Sequence, residues 1–515
     1  MGEHITFQVD GSDVTVADDG RSLLDVLRED LRIRSVKDGC SPQGQCGCCT
    51  VLVDDAPRVA CVTPARRVAG RRVTTLDGLG EPAREWAAAF LACGASQCGF
   101  CTPGIVVRLE GLRRRGVEPG DHTTVERGLA AHLCRCTGWR TILDAYDRYG
   151  EPHADRDLRA ASARASIEGR TPQAVGPEVV LGRAGFADDT APEGALVAVP
   201  DGSGDWAVGE TPAEARAAAG SVQGRRSSAG LHHPVRVPEG QWDVTLRTTW
   251  VEPAYLELDA SWCEPGGEPA SPLANGGAFG GKVASHAPAA ARELADRHGR
   301  SVRVLLSRED TVRSGAKRPP LAVGARRDRV GAVRVARTPG IADAIRRVAP
   351  GLAVEEVDVV GPPTSTAPRA AGWAEVQAVL AAVEGVTSPV VGPDGGRAEA
   401  EVGDGGVRVS VACGDPLDEA VLRSYCVGAA HMALGLVTSE GIGVDEHGEV
   451  HDLTVRSFGV LRASDTPPID VEIEASDDPP VNGSDAVFAA VAAAAWLHQG
   501  CPPTWPTGVA VRSGR

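Results

Sequence analysis

Ten of the 14 cysteines in this 515-residue chain fall between Cys40 and Cys136, most of them in close pairs. No other feature restricts the fold as strongly. Thiols this dense are either cross-linked or hold metal, and both uses pin loops together. The start, Met1-Gly2-Glu3-His4-Ile5-Thr6, has neither a basic flank nor an apolar signal core, so the chain is expected to be cytoplasmic. In that setting clustered cysteines point to metal rather than disulfides. The four outlying cysteines, Cys263, Cys413, Cys426 and Cys501, are scattered and read as small buried apolar side chains.

Two groups stand out. Cys98-Gly-Phe-Cys101 and Cys134-Arg-Cys136 can supply four thiolates to one centre. Thiolate suits iron–sulfur clusters or tetrahedral Zn. A Cys-x-Cys pair is unusual for Zn, which makes a structural Zn knot the weaker alternative. The other group is Cys40, Cys46, Cys49 and Cys61, with Cys48 beside them. Its spacing is close to the plant-type [2Fe–2S] pattern, with one extra residue within Ser41-Pro42-Gln43-Gly44-Gln45. Cys48 reads as a bystander and stays open as an alternative ligand. Glycines at 39, 44 and 47 would let backbone N–H groups approach cluster sulfides.

The surrounding pattern suits small domains. Residues 4–16 read as strand, Asp10-Gly11 turn, strand; Ser22 can cap a helix through Leu31; two short strands lie near Val51–Val53 and Val59–Cys61. Apolar residues then recur at helical spacing in 84–93, 104–113, 124–134 and 140–149. Residues 151–176 are charged, Ala-rich and without a clear apolar stripe, which reads as a linker. Beyond them strand-like runs (Val302–Leu306, Val407–Val411) alternate with helical ones (Pro288–His298, Ala486–His498). The formal charge of −16 weighs against nucleic acid and anionic membrane surfaces, and no apolar run reads as a membrane span.

At this point the residues resemble a known family. Gly39-Cys40 with Cys46-Gly-Cys-Cys49-Thr50-Val51 is similar to the first cluster loop of the xanthine dehydrogenase/aldehyde oxidase (molybdenum hydroxylase) family. Gln97-Cys98-Gly-Phe-Cys101-Thr-Pro-Gly104 and Cys134-Arg-Cys136-Thr-Gly138 resemble its second cluster. The resemblance covers residues 4–149. It implies two [2Fe–2S] clusters, one on Cys40, Cys46, Cys49 and Cys61, the other on Cys98, Cys101, Cys134 and Cys136. It also implies that Gln97 and Cys136 lie beside a molybdopterin.

The second half resembles a shortened molybdopterin-binding subunit. Asn275-Gly-Gly-Ala-Phe279-Gly280-Gly281-Lys282 is similar to the family's Gly-Gly-Phe-Gly-Gly-Lys loop, which implies cofactor contacts at Phe279, Gly280 and Gly281. Arg308-Glu-Asp310, Val251-Glu-Pro-Ala254 and the stretch from His431 to Pro468 resemble other family segments. The family's catalytic glutamate has its nearest equivalent in Asp485 of Asn482-Gly-Ser-Asp485, one methylene shorter; the plainer reading is that Asp485 N-caps the helix beginning at Ala486. His232 and His233 lack spaced partners and read as loop histidines.

The expected architecture is α+β. A β-grasp ferredoxin-like domain (1–79) precedes a four-helix [2Fe–2S] domain (80–150). After the linker (151–176), residues 177–515 form a mixed α/β domain resembling a truncated molybdopterin-binding domain. The resemblance implies an oxidoreductase that passes electrons from a molybdopterin site through two clusters to a separate flavoprotein subunit or another acceptor. Its small-molecule substrate would be an aldehyde or N-heterocycle. The alternative is a non-catalytic electron-transfer subunit whose degenerate C-terminal domain docks a separate molybdopterin subunit. A Zn-stapled scaffold is the reading from outside redox chemistry.

Overall fold

The computed structural model describes residues 4–41, 43–220, 229–271, 277–282 and 285–510. His4–Val9 pairs antiparallel with Ser12–Ala17 across the Asp10-Gly11 turn, where Asp10 takes a left-handed conformation (φ 49°). The Asp10 carboxylate accepts from the backbone N–H and hydroxyl of Thr75, tying the turn to the neighbouring strand end. The sheet runs Ser12–Ala17, His4–Val9, Arg72–Thr74, Thr50–Val53, Ala56–Val59. Ser22 and Asp25 form a capping box on a short helix, Leu23–Asp25, that continues as a wider helical turn over Val26–Asp30. Its apolar side, Leu23, Leu24, Val26 and Leu27, is buried in the core.

Four helices follow: Glu81–Cys93, Thr102–Arg113, His122–Gly128 and Arg140–Asp147. Trp86 holds them together. It packs on Phe90, Tyr146 and Tyr149, and its Nε1–H donates to the buried Glu110 carboxylate (3.1 Å). Arg113 and Arg114 neutralise Glu110 from the same helix and its end.

The segment 151–176, which reads as a linker, carries a docked helix over Leu158–Gly169. Its buried face is made of Ala161 and Ala165, packed on Val421 and Tyr425. Small alanines leave a faint stripe in sequence. Arg164, which a pattern counts as solvent-facing, is fully buried; it pairs with Glu168 (2.9 Å) and donates to the carbonyls of Pro416 and Val481.

Among the described residues, three four-stranded sheets build the second half. One runs Trp206–Gly209, Leu196–Pro200, Val302–Leu305, Ala260–Cys263; helix Ala287–His298 covers it. The second runs Leu352–Val357, Gly331–Ala336, Leu321–Ala325, Val244–Arg247. The third runs Val390–Val391, Arg397–Gly403, Gly406–Ala412, Ile469–Glu474. Helices Trp373–Glu384, Glu419–Thr438 and Ser484–His498 pack between the last two sheets in one apolar core.

The reading that no apolar run could span a bilayer needs one correction. Glu419–Thr438 is long and apolar enough by length and composition, but 89% of its apolar stretch is buried inside the protein, as suits a central core helix. The same helix seats the two halves on each other: a Cβ on Gly428 would lie 1.8 Å from the Cys136 carbonyl oxygen, so only glycine permits this approach.

Candidate metal centres and cofactor pocket

The loop 39–49 and the short helical turn Ala60–Val62 bring the first thiols together. Cys40 lies within hydrogen-bonding reach of Cys46 and Cys61, and Cys61 of Cys49. The Gln43 N–H donates to Cys40 Sγ (3.2 Å) and the Cys61 N–H to Cys49 Sγ (3.4 Å). Backbone donors on sulfur are what a thiolate-held cluster uses. Cys48 lies beside Cys46, on the side of the second group. Pro42 lies outside the described residues.

The second group forms around the ends of helices Glu81–Cys93, Thr102–Arg113 and Arg140–Asp147. Cys134 is in reach of Cys101 and Cys136, and Cys136 Sγ lies 3.7 Å from Cys98 Sγ. Thr137 Oγ1 lies 3.2 Å from Cys134 Sγ. Each group has one thiol held well below its usual range by two thiol neighbours: Cys40 by Cys46 and Cys61, Cys134 by Cys101 and Cys136. Among the described residues no three Cys, His, Asp or Glu side chains converge as one single-ion site.

Arg135, between two cysteines of the second group, reaches into the second half. Its guanidinium makes a two-point pair with Glu440 (2.6 and 2.7 Å), and its Nε–H donates to the Pro253 carbonyl (3.0 Å). The pair is 5% and 1% exposed, so it is a desolvated clamp between the halves. Arg318 and Glu375 form a similar buried pair (2.6 and 2.8 Å) behind it.

A cavity of about 310 Å³ opens against the second thiol group. Gln97, Cys98, Cys136 and Tyr425 line one side; Gly277, Ala278, Phe279, Gly280 and Lys282 line another; Gly169, Arg170, Thr171 and Gln173 close it. Gly277 (φ 69°) packs directly on the thiols: a Cβ there would lie 2.5 Å from Cys136 Sγ. Gln97 Nε2 donates to the Cys136 carbonyl (3.0 Å) and to Ser424 Oγ (2.9 Å), while its Oε1 is buried with no partner. Phe279 holds a strained left-handed backbone (φ 44°), with its ring under Arg369 and edge-on to Tyr425. Lys282 Nζ lies 2.9 Å from Glu257 and 3.7 Å from Asp259. Burial pushes the Glu257 carboxyl up to about 7. A wider groove of about 880 Å³, between His122, Arg140, Leu461 and Pro468, has no cysteine in its lining.

The structure places Gln97, Cys136, Phe279 and Gly280 on this cavity. Gly281 is not among its lining residues; a Cβ there would meet the Pro253 ring at 2.3 Å. Asn275 lies outside the described residues. Asp485 is absent from the lining too. Its carboxylate pairs with Arg170 and lies 3.7 Å from Arg369. Nor does Asp485 cap its helix. That helix starts at Ser484; Asn482 Oδ1 accepts the Asp485 N–H (3.0 Å), and the Glu168 carboxylate accepts from Gly483 and Ser484 (3.1 and 2.9 Å). Residues from the docked helix thus hold the site where a base was expected. His233 Nε2 lies 2.9 Å from the Trp505 carbonyl oxygen and His232 packs on Trp250, both in local contacts.

Sequence reasoning missed Arg170, Tyr425, Ser424 and Glu440. The two on helix Glu419–Thr438 had a signal, as polar residues within an otherwise apolar stretch. Glu440 lies in the His431–Pro468 stretch that carries the resemblance, but its pairing with Arg135, 305 residues away, had no signal.

Comparison with known proteins agrees with this geometry. A 2Fe-2S iron-sulfur cluster binding domain matches residues 7–66 and a [2Fe-2S] binding domain matches residues 75–147. The chain is 37% identical over 129 residues to the nicotinate dehydrogenase small FeS subunit of Eubacterium barkeri, covering 25% of this chain and 81% of that one. The chain belongs to the molybdenum hydroxylase family. It is also 40% identical over 143 residues to an aldehyde oxidoreductase of Megalodesulfovibrio gigas, a match spanning 27% of this chain and only 16% of that protein. The solved aldehyde oxidoreductase from Desulfovibrio gigas superposes with a TM-score of 0.70 at 14% identity, over 96% of this chain and 97% of that chain. The fold therefore extends through the second half, although the close sequence match does not. With its two [2Fe–2S] binding domains, this chain is an iron–sulfur protein of the molybdenum hydroxylase type.

Proposed function

We propose that this chain holds a molybdopterin in the cavity beside Cys98 and Cys136 and passes its electrons singly through two [2Fe–2S] clusters to an external acceptor. Cys98, Cys101, Cys134 and Cys136 hold the nearer cluster; Cys40, Cys46, Cys49 and Cys61 hold the farther one. The observation that carries the reading is the cavity itself, bounded by thiols on one side and the glycine loop on another, with an unpaired acceptor, Gln97 Oε1, buried at its edge. An orphaned buried acceptor costs free energy unless a ligand completes it. The cavity's size is within the range of small-molecule sites, roughly 300–1,000 Å³. Arg170 and Lys282 stand on its wall, each paired with a carboxylate, Asp485 and Glu257.

When bound, the molybdopterin supplies two-electron chemistry on an aldehyde or N-heterocycle, and the clusters supply one-electron steps. The chain's own residues hold these groups in order. Gln97 bridges the cavity and the Cys136 backbone; Arg135 locks the second cluster to the half that carries the glycine loop. Electrons leave near Cys61, where the neighbouring Val62 is exposed and gives a flavoprotein partner an apolar contact. The Cys-x-Cys spacing of Cys134 and Cys136, unusual for zinc, weighs against a Zn staple.

A second reading has its own observation. Asp485 is engaged by Arg170 and Arg369, so the residue nearest to the family's base in sequence is not a free carboxylate. The chain would then carry electrons for a separate molybdopterin subunit. Gln97→Leu separates the two. On the first reading the purified variant keeps both clusters and loses the pterin that the wild-type protein releases on denaturation. Wild-type protein that releases no pterin, from a host able to make it, overturns the first reading.

A further inference from the structure

Cys48 has no place in either proposed ligand set, yet it is buried between them. A Cβ built on Gly39 would lie 3.1 Å from both Cys46 Sγ and Cys48 Sγ and 3.2 Å from the Phe100 ring. The two sulfurs therefore share one small space, with the aromatic ring closing it. Cys48 Sγ lies beside the Cys46 sulfur, and its S–H donates to the Cys46 carbonyl oxygen at 3.9 Å. On its other side Cys48 is close enough to Cys98 and Cys101 to feel their charge. Its backbone carbonyl packs against Gly104, where a Cβ would lie 2.8 Å away, so the loop carrying it is fixed.

We infer that Cys48 is a positioning residue for the first cluster: its S–H donates to the Cys46 sulfur and raises that cluster's reduction potential. The inference rests on the ligand assignment proposed above. With Cys46 a thiolate on iron, its anionic sulfur is a stronger acceptor than the carbonyl oxygen at 3.9 Å and draws the Cys48 S–H to itself. A donor on a ligating sulfur withdraws charge from the cluster and favours its reduced form. A first cluster raised in this way relative to the second favours electron flow outward, toward Cys61.

The test is a redox titration followed by electron paramagnetic resonance on the whole chain. The first cluster is identified as the signal that survives Cys101→Ser. Cys48→Ala is expected to shift that signal's midpoint to lower potential and leave the other in place. Cys48→Ser, which keeps a donor, returns it toward the wild-type value. If Cys48→Ala fails to fold, Cys48→Val, which fills the same space without a donor, takes its place with the same expected shift, and a wild-type midpoint there overturns the inference. An unmoved midpoint with both signals present overturns it too. Loss of the first signal and its iron makes Cys48 a ligand, which is equally contrary. Absence of both signals from the wild type would instead sink the proposed function.

Discussion

The thiol-rich region and the half that follows it hold their chemistry in different ways. In residues 4–149 the groups proposed to touch metal come from cysteines a few residues apart, on loops pinned by capped helices and a five-stranded sheet. In residues 177–510 the cavity wall is assembled from segments far apart in sequence, and a helix that precedes this half, Leu158–Gly169, completes it. Cluster binding tolerates little change in spacing or residue type. A packed core of alanine, valine and leucine tolerates a great deal. This contrast explains why the first region is 37% and 40% identical to two relatives while the full-length likeness stands at 14% with the fold intact.

Four outcomes would sharpen or break that contrast. The largest concerns the thiols. Cys101→Ser should lose about half the iron and one of two cluster signals, on the count of two irons per binuclear centre. Loss of both signals from a folded protein would show that the two groups are one unit.

Next comes the clamp between the regions. Arg135→Met leaves Glu440 buried and unpaired, which should cost about 3–5 kcal/mol in urea unfolding. Adding Glu440→Leu should recover most of it. A small effect from Arg135→Met alone would mean that the halves are joined elsewhere.

The third outcome is a pH dependence within the second half. Glu257 has a folded value of about 7 against an ordinary 4.5, chiefly from burial, with Lys282 opposing and Asp259 and Asp189 adding to the shift. The native state therefore holds this proton more tightly than the unfolded chain. Stability should fall as pH rises from about 4.5 to about 7, by at most about 3 kcal/mol. Glu257→Gln should flatten that slope; an unchanged slope assigns it to other groups.

The smallest is a cap. Asn482→Ala removes the acceptor of the Asp485 N–H and two donor contacts to the preceding helix, at Ile167 and Glu168. A loss of about 1 kcal/mol is expected. No loss would show that Glu168 alone satisfies that helix start.

The same contrast sets how much was legible in sequence. The hairpin around Asp10-Gly11, the Ser22 cap and the four helices between Glu81 and Asp147 follow from local rules, because turn residues, caps and apolar spacing act within a few residues. The grouping of cysteines was legible for the same reason. The docked helix Leu158–Gly169 was not, because its buried face is alanine and its buried charge, Arg164, finds carbonyl partners 252 and 317 residues on. Asp485 shows the limit most plainly. Its motif suggests a base or a cap, whereas ion pairs with Arg170 and Arg369, set by tertiary packing, give it neither role.

The central claim is that one chain holds both clusters and the pterin site. It is tested most directly by iron and molybdenum per chain, measured on protein purified without oxygen from a host able to make the pterin cofactor. The account predicts about four iron, from two binuclear clusters, with about one molybdenum. Four iron without molybdenum would contradict the pterin site and leave an electron carrier; zinc in place of iron would contradict the account as a whole.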